Sequence, residues 1–382
     1  MPQTNQNAMF RFLMVLTISS TVGLKAWLTL FNNFAVDVAH LDGSHIGMIQ
    51  SIREIPGFLA LLAVFIMLVI KEHRLSALSI LFLGLGLAVT GWFPSYLGLI
   101  LTTLIMSFGF HYYETTNQSL TLQYFDATQS PWVFGKMRSL ASASSVVIGI
   151  LIYCLAALLN YTQIYLIIGG AIVAASIWGL LHDPTHRDII PQHKKMIFRK
   201  KYWLFYFLTF MGGARRQIFM AFAVFLLVKR CHFTLQHITI LFVINDLINY
   251  FLSPIIGKSI LRFGERKVLS LEYFSLFFIF LAYALVQSKL VLSILFILDH
   301  VFFNFAIAIQ TFFQKVADPR DIAPSMAMGF TINHIAAVFL PAIGGLLWMV
   351  DYRIPFVAGA AMSVVSLIAV QQIRVAVIRQ EG

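Results

Sequence analysis

The chain has 382 residues, of which 59% are hydrophobic and 11% charged, and its mean hydropathy is +0.83. A soluble domain carries about 25% charged residues, so the composition excludes an ordinary soluble enzyme or binding domain as the body of the chain. The formal charge of +11 would point to nucleic acid in a soluble protein. In a membrane protein it reflects loops that hold Lys and Arg on one side of the bilayer, and no nucleic-acid partner is implied.

About twelve apolar segments follow one another, each near the roughly 20 residues needed to cross a bilayer. The expected spans are 10–36, 45–70, 75–95, 97–122, 138–160, 162–181, 203–228, 235–257, 268–287, 290–314, 324–349 and 354–373. The apolar run near the start continues to Phe34, too long for a signal peptide, and is the first span. It holds Lys25. Span 2 holds Arg53 and Glu54, then Pro56 and Gly57, where a helix can bend. Lys25 either binds substrate or pairs with Glu54.

Span 4 reads FGFHYYETTNQSLTLQYF. His111, Glu114 and Gln118 recur at i, i+3 and i+7, so they share one helical stripe. A desolvated carboxylate there can bind and release protons, which makes Glu114 a candidate proton carrier; the alternative is a static hydrogen-bonded strut. The connection His182–Tyr202 is polar, contains Pro184 and Pro191, and carries Arg187, Lys194, Lys195, Arg199, Lys200 and Lys201. It divides the chain into a bundle at 1–181, a linker at 182–202 and a bundle at 203–382.

In the second half, span 7 carries Gly212, Gly213, Arg215 and Arg216. Adjacent helical residues point about 100° apart, so only one of the two arginines is expected to face a polar interior. Arginine's planar fork suits a carboxylate or phosphate; the alternative is a pair with Asp246 of span 8. Span 10 holds Asp299, His300 and Asn304, and span 11 holds Asn333 and His334. Histidine titrates near neutral pH, so these residues suit a proton relay. A transition metal could use the same donors, and His334 could equally be a hydrogen-bonded core residue. Dense His/Cys ligand spacing is absent, and Cys154 and Cys231 make no disulfide framework, so neither a resident metal nor a cofactor is expected.

An ionisable residue at a helix centre costs roughly 2.5–3.5 kcal/mol on insertion scales. The buried charges fall in spans 1, 2, 4, 7, 8 and 10, while the middles of spans 3, 6, 9 and 12 carry none. This is the pattern of a bundle in which some helices line a wet interior and others face lipid. Lys and Arg cluster on one side, at Arg11, Lys71, Arg74, Lys136, Arg138, the linker, Lys258, Arg262, Arg266, Lys267, Lys315, Arg320, Arg374 and Arg379. The other side has Lys229, Arg230, Lys289 and Arg353. The asymmetry puts both termini in the cytoplasm of a plasma membrane, the inner membrane in a bacterium. The halves also align: HIGMIQSIREIPG from His45 matches HITILFVINDLIN from His237, with Arg53–Glu54 on Asn245–Asp246, as internal repeats of transporters do.

After span 8 comes GKSILRFGERK, Gly257 to Lys267. It resembles the loop signature of the major facilitator superfamily at Gly257, Arg262, Gly264, Arg266 and Lys267, with Leu261 where an acid is usual. The corresponding first-half loop, IKEHRLSAL, keeps only Glu72 and Arg74. The resemblance implies an all-α integral membrane fold of two pseudo-symmetric six-helix bundles. It further implies that spans 1, 4, 7 and 10 line a central cavity and that these loops act as a gate.

The expected function is secondary active transport of a small organic anion or zwitterion by alternating access. No phosphate-binding loop supplies nucleotide energy, so an ion gradient drives it, with protons favoured by the buried acids and histidines. Lys25, Arg53, Arg215, Arg216 and Asn304 are the candidate substrate-binding residues. Glu54, Glu114, His111, Asp246, Asp299, His300 and His334 are the candidate proton-coupling residues. The expected partners are the substrate, protons and membrane lipids, around a monomeric chain. Alternatives are multidrug efflux in the same fold, a non-transporting receptor, and transport of a metal ion or chelate. An enzyme is not expected, because no nucleophile–base or metal-dyad pattern is present.

Overall fold

The computed structural model of the chain describes residues 3–41, 43–185, 192, 197–231, 233 and 235–373. The parts of the linker at 186–191 and 193–196, with Arg187, Lys194 and Lys195, lie outside the described residues, as do Arg374 and Arg379.

All regular structure among the described residues is helical. In chain order it begins with α1 (Gln3–Asp37), then a broken second span made of α2 (Gly43–Arg53), α3 (Ile55–Phe58), a 3-10 turn (Leu59–Leu62) and α4 (Ala63–Ile66). Four long helices follow: α5 (Glu72–Val89), α6 (Tyr96–Tyr124), α7 (Ser130–Ala156) and α8 (Tyr161–Leu181). The seventh span is α9 (Trp203–Gln217), a π-helical segment (Ile218–Ala223) and α10 (Val224–Lys229). Then come α11 (Leu235–Phe263), α12 (Glu265–Leu285), and a tenth span of α13 (Lys289–Phe303), a 3-10 turn (Asn304–Ala306) and α14 (Ile307–Val316). The last two spans are α15 (Ile322–Val350) and α16 (Arg353–Val370). Ten helical stretches among the described residues are long and apolar enough to cross a membrane. With α9–α10 and α15 they make the twelve-helix layout.

Helix ends overrun the apolar runs that announce them. The fifth span starts at Ser130 rather than 138, and the eighth ends at Phe263 rather than 257. Backbone hydrogen bonding continues a helix past the point where hydropathy falls, so Lys136, Arg138, Gly257 and Arg262 are helix residues and not loop residues. Between α11 and α12 only Gly264 is non-helical, at φ 79 and ψ 158, a region open essentially to glycine. That requirement is the physical reason for a glycine at this point of the signature.

The chain forms two compact units. One comprises Met1–Phe125, Leu140–Ile197 and Pro319–Thr331; the other comprises Asp126–Ser139, Phe198–Asp318 and Ile332–Gly382. In the first, α5 packs on α6 and α8 at backbone range. A Cβ on Gly86 would stand 2.5 Å from the Met106 nitrogen, and one on Gly169 would stand 2.5 Å from that of Ala88. Small residues at helix crossings permit such approach where lipid supplies no hydrophobic drive. In the second unit, α12 packs on α16 and α9 on α16, around buried Phe219, Phe222, Phe280, Tyr283, Phe296 and Phe356.

Candidate functional site

Polar groups gather where spans lose regular helix geometry. In the first unit, span 2 breaks at Glu54. Pro56 offers no N–H, and the Gly57 and Phe58 amides both donate to the Glu54 carbonyl, at 3.1 and 3.2 Å. The Arg53 carbonyl is thereby left without an intrahelical donor, and the Ser107 hydroxyl of α6 donates to it.

The same step places two charges. Arg53 Nη2 lies 2.5 Å from Glu54 Oε1, and the Arg53 guanidinium stands 5.2 Å from the Trp27 ring centroid. Glu54 Oε2 lies 3.8 Å from His111 Nε2. His111 Nδ1 lies 2.9 Å from the Ser107 carbonyl, an acceptor only, so Nδ1 carries a hydrogen and Nε2 is the ring nitrogen that faces Glu54. His111 is 4% exposed, whereas Glu114 and Lys25 are half-buried. The first unit therefore brings Arg53, Glu54 and His111 together. Neighbouring Tyr113 is bonded to Thr17 at 2.7 Å.

In the second unit the two adjacent arginines part company. Arg215 is 3% exposed and Arg216 is exposed. Gly213 lets α9 meet the α15 backbone, since a Cβ there would stand 2.6 Å from the Asn333 carbonyl oxygen. Arg215 Nη1 donates to Ser366, Nη2 lies 3.7 Å from Glu272 Oε1, and the guanidinium sits 4.3 Å from the Tyr273 ring centroid. The carboxylate beside Arg215 is that of Glu272. Arg216 lies over the Phe303 ring at 5.5 Å, and the π-helical turn follows directly. Asp246 and His300 are half-buried; Asp299 and His334 are buried.

The break in span 10 falls on Asn304. Its Oδ1 accepts from Arg138 Nη1 at 2.8 Å, and its amide nitrogen donates to Asn249 Oδ1 and to the His300 carbonyl at 3.0 Å. At the expected gate, Arg262 and Lys267 are exposed and Arg266 is half-buried. Glu265 is buried and pairs with Lys315 at 2.8 Å.

Sequence reasoning passed over Glu272, Arg138, Ser107 and Asn249. The expectation that the middle of the ninth span carries no charge is qualified by Glu272, which is 2% exposed and lies about 10 Å along α12 at 1.5 Å per residue. Its signal is a lone acid in SLEYFSL, inside the expected span at 268–287. Arg138, the first residue of the expected fifth span, was grouped with the cytoplasmic-side cations, whereas α7 begins at Ser130.

A sequence profile of the Major Facilitator Superfamily matches residues 7–332. Comparison by sequence with curated proteins gives no match. Among solved structures, the human organic anion transporter is similar with a TM-score of 0.75 and 11% identity, over 97% of this chain and 100% of that one. A bacterial homologue of the iron transporter ferroportin gives 0.79 and 12%, over 96% and 99%. The E. coli fucose:proton symporter gives 0.76 and 13%, over 95% and 98%. At these identities the likeness shows the fold alone; the profile match over most of the chain shows the family. The chain belongs to the Major Facilitator Superfamily and is a membrane-spanning transporter, not an enzyme.

Proposed function

We propose that the chain moves a small organic anion or zwitterion by alternating access, driven by protons, with residues 1–181 and 203–382 as the moving halves and 182–202 joining them in the cytoplasm. The observation that carries this reading is the coincidence of ionisable groups with broken helices at Arg53–Glu54 and Arg215–Arg216. Irregular backbone at membrane depth is tolerated where it is buried in protein or lines a water-filled space, and transporters build their substrate sites from such discontinuous helices. Arg216, exposed beside the π-helical turn, is the residue assigned to grip the anion. Glu54, His111 and Glu114 are assigned to proton exchange. The solved transporter of organic anions and the fucose:proton symporter are compatible relatives in fold.

The test begins with thermal stabilisation of the purified chain by a panel of small organic anions, followed by counterflow and pH-driven uptake in proteoliposomes. Glu114→Gln should abolish accumulation under a pH gradient while sparing exchange. If no anion is taken up, or accumulation ignores the pH gradient, the reading fails. A second reading, a divalent transition-metal cargo, is favoured by His111 Nε2 and Glu54 Oε2 at 3.8 Å. Saturable uptake of Mn(II) or Co(II), lost in His111→Ala, would select it.

A further inference from the structure

The two helices that meet at Gly264 carry exposed side chains in single files. On α11, Leu247, Phe251 and Ile255 are each more than half exposed, and exposed Lys258 and Arg262 continue the series. On α12 the file starts at exposed Lys267 and runs through Leu271, Phe274 and Phe278, again each more than half exposed. Steps of three and four residues keep each file on one helix face. Apolar side chains laid bare along a membrane-spanning helix face acyl chains. The cations therefore stand where that apolar surface ends: Arg262 lies about 10 Å beyond Ile255 at 1.5 Å per residue. Gly264 alone separates α11 from α12, so Arg262 and Lys267 share one corner.

Charge at this corner is not neutralised from within. The acid of the stretch GKSILRFGERK is Glu265, which is buried and turned inward to Lys315 at 2.8 Å. Among the described residues, Lys258, Arg262 and Lys267 make no ion pair. The Arg262 guanidinium lies 5.3 Å from the ring centroid of its neighbour Phe263, which is itself exposed. Three cations and an aromatic ring thus border an apolar surface. The positive-inside rule gives this side of the chain to the cytoplasm, whose leaflet is the anionic one.

We propose that the corner between α11 and α12 binds the headgroup of an anionic phospholipid, whose acyl chains lie along the two apolar files. The planar fork of Arg262 suits two phosphate oxygens. Lys258 and Lys267 add point charges, their stems resting on apolar surface while their heads reach the phosphate level. A zwitterionic headgroup would bring its own ammonium among three cations and is disfavoured. A free phosphate would gain nothing from the apolar files. The site needs only the membrane-spanning fold and is independent of what the chain transports.

Native mass spectrometry of the full chain, titrated in detergent, counts bound lipids and ranks their affinities. The probes are phosphatidylglycerol, phosphatidylcholine with the same acyl chains, and inorganic phosphate. The wild type should retain one phosphatidylglycerol about tenfold or more tightly than phosphatidylcholine, and phosphate should not displace it. Lys258→Gln, Arg262→Gln and Lys267→Gln should each weaken that binding about fivefold, and the triple variant should treat the two lipids alike. These side chains are exposed, so the variants keep the fold. Lys200→Gln with Lys201→Gln removes two exposed cations elsewhere and should leave the preference intact. Equal retention of the two lipids by the wild type overturns the proposal, as does a preference that survives the triple variant. Loss of preference in the Lys200/Lys201 variant, or displacement of the lipid by phosphate, overturns it as well.

Discussion

The Ser107 hydroxyl donates to the Arg53 carbonyl, the oxygen that the break in span 2 deprives of its helical partner. A single small residue on α6 thus stabilises an interruption on which Arg53 and Glu54 depend for their orientation. It also fixes His111, whose Nδ1 lies 3.0 Å from the same hydroxyl.

Ser107→Ala should therefore deprive a part-buried carbonyl of its donor, at about 1 kcal/mol. The melting temperature of the purified protein should fall accordingly, while helix content stays unchanged. Unaltered melting would mean that the carbonyl finds another donor.

The two arginines of α9 should behave oppositely. Removing one partner from a buried ion pair costs about 3–5 kcal/mol, so Arg215→Ala should destabilise the fold strongly, and Arg215→Lys should not restore the two-sided contact with Ser366 and Glu272. Neutralising both partners, by Arg215→Met with Glu272→Gln, should recover much of the loss. Arg216→Ala should cost less than about 1 kcal/mol, the scale of an exposed cation–π contact, yet abolish uptake of an anionic substrate. Equal thermal shifts in the two alanine variants would contradict the division of roles.

The twelve spans were legible because hydropathy and length report directly on the bilayer. The opposite burial of Arg215 and Arg216 was legible too, because 100° between neighbours is a property of the helix itself. Glu272 and Arg138 were not. Hydropathy reports on lipid and not on pairing, and their partners, Arg215 and Asn304, are 57 and 166 residues away along the chain. The breaks in spans 7 and 10 were likewise hidden, since π and 3-10 turns have no period distinct enough to read; only Pro56 announced its break in span 2.

Arg138 and Asn304 should prove coupled. The bond between them joins a cation to an amide at 2.8 Å, a class worth about 1.5–3 kcal/mol. In a double-mutant cycle of Arg138→Ala and Asn304→Ala, the pair should cost less than the sum of its parts by an amount of that order. Additive losses of stability would show that the contact contributes nothing of its own.

The signature glycines should fail for two different reasons. At Gly264 any side chain must enter a backbone region essentially reserved for glycine, at roughly 1–3 kcal/mol, although no neighbouring atom lies within 4 Å of a Cβ there. At Gly257 the backbone is ordinary helix, where alanine is intrinsically better by about 1 kcal/mol, but its Cβ would press on the Pro131 carbonyl of α7. Gly257→Ala should thus lower stability against its helix propensity. Shortening the opposing contact cannot relieve it, because the obstructing atoms are backbone. Gly264→Asn should lose as much as Gly264→Ala, because asparagine tolerates positive φ in the left-handed helical region and not at ψ 158, and Gly257→Ser should be no better than Gly257→Ala. Thermal unfolding of the four variants separates the cases: wild-type stability in either Gly264 variant, or recovery by serine at 257, would reverse the assignment of strain to one site and collision to the other.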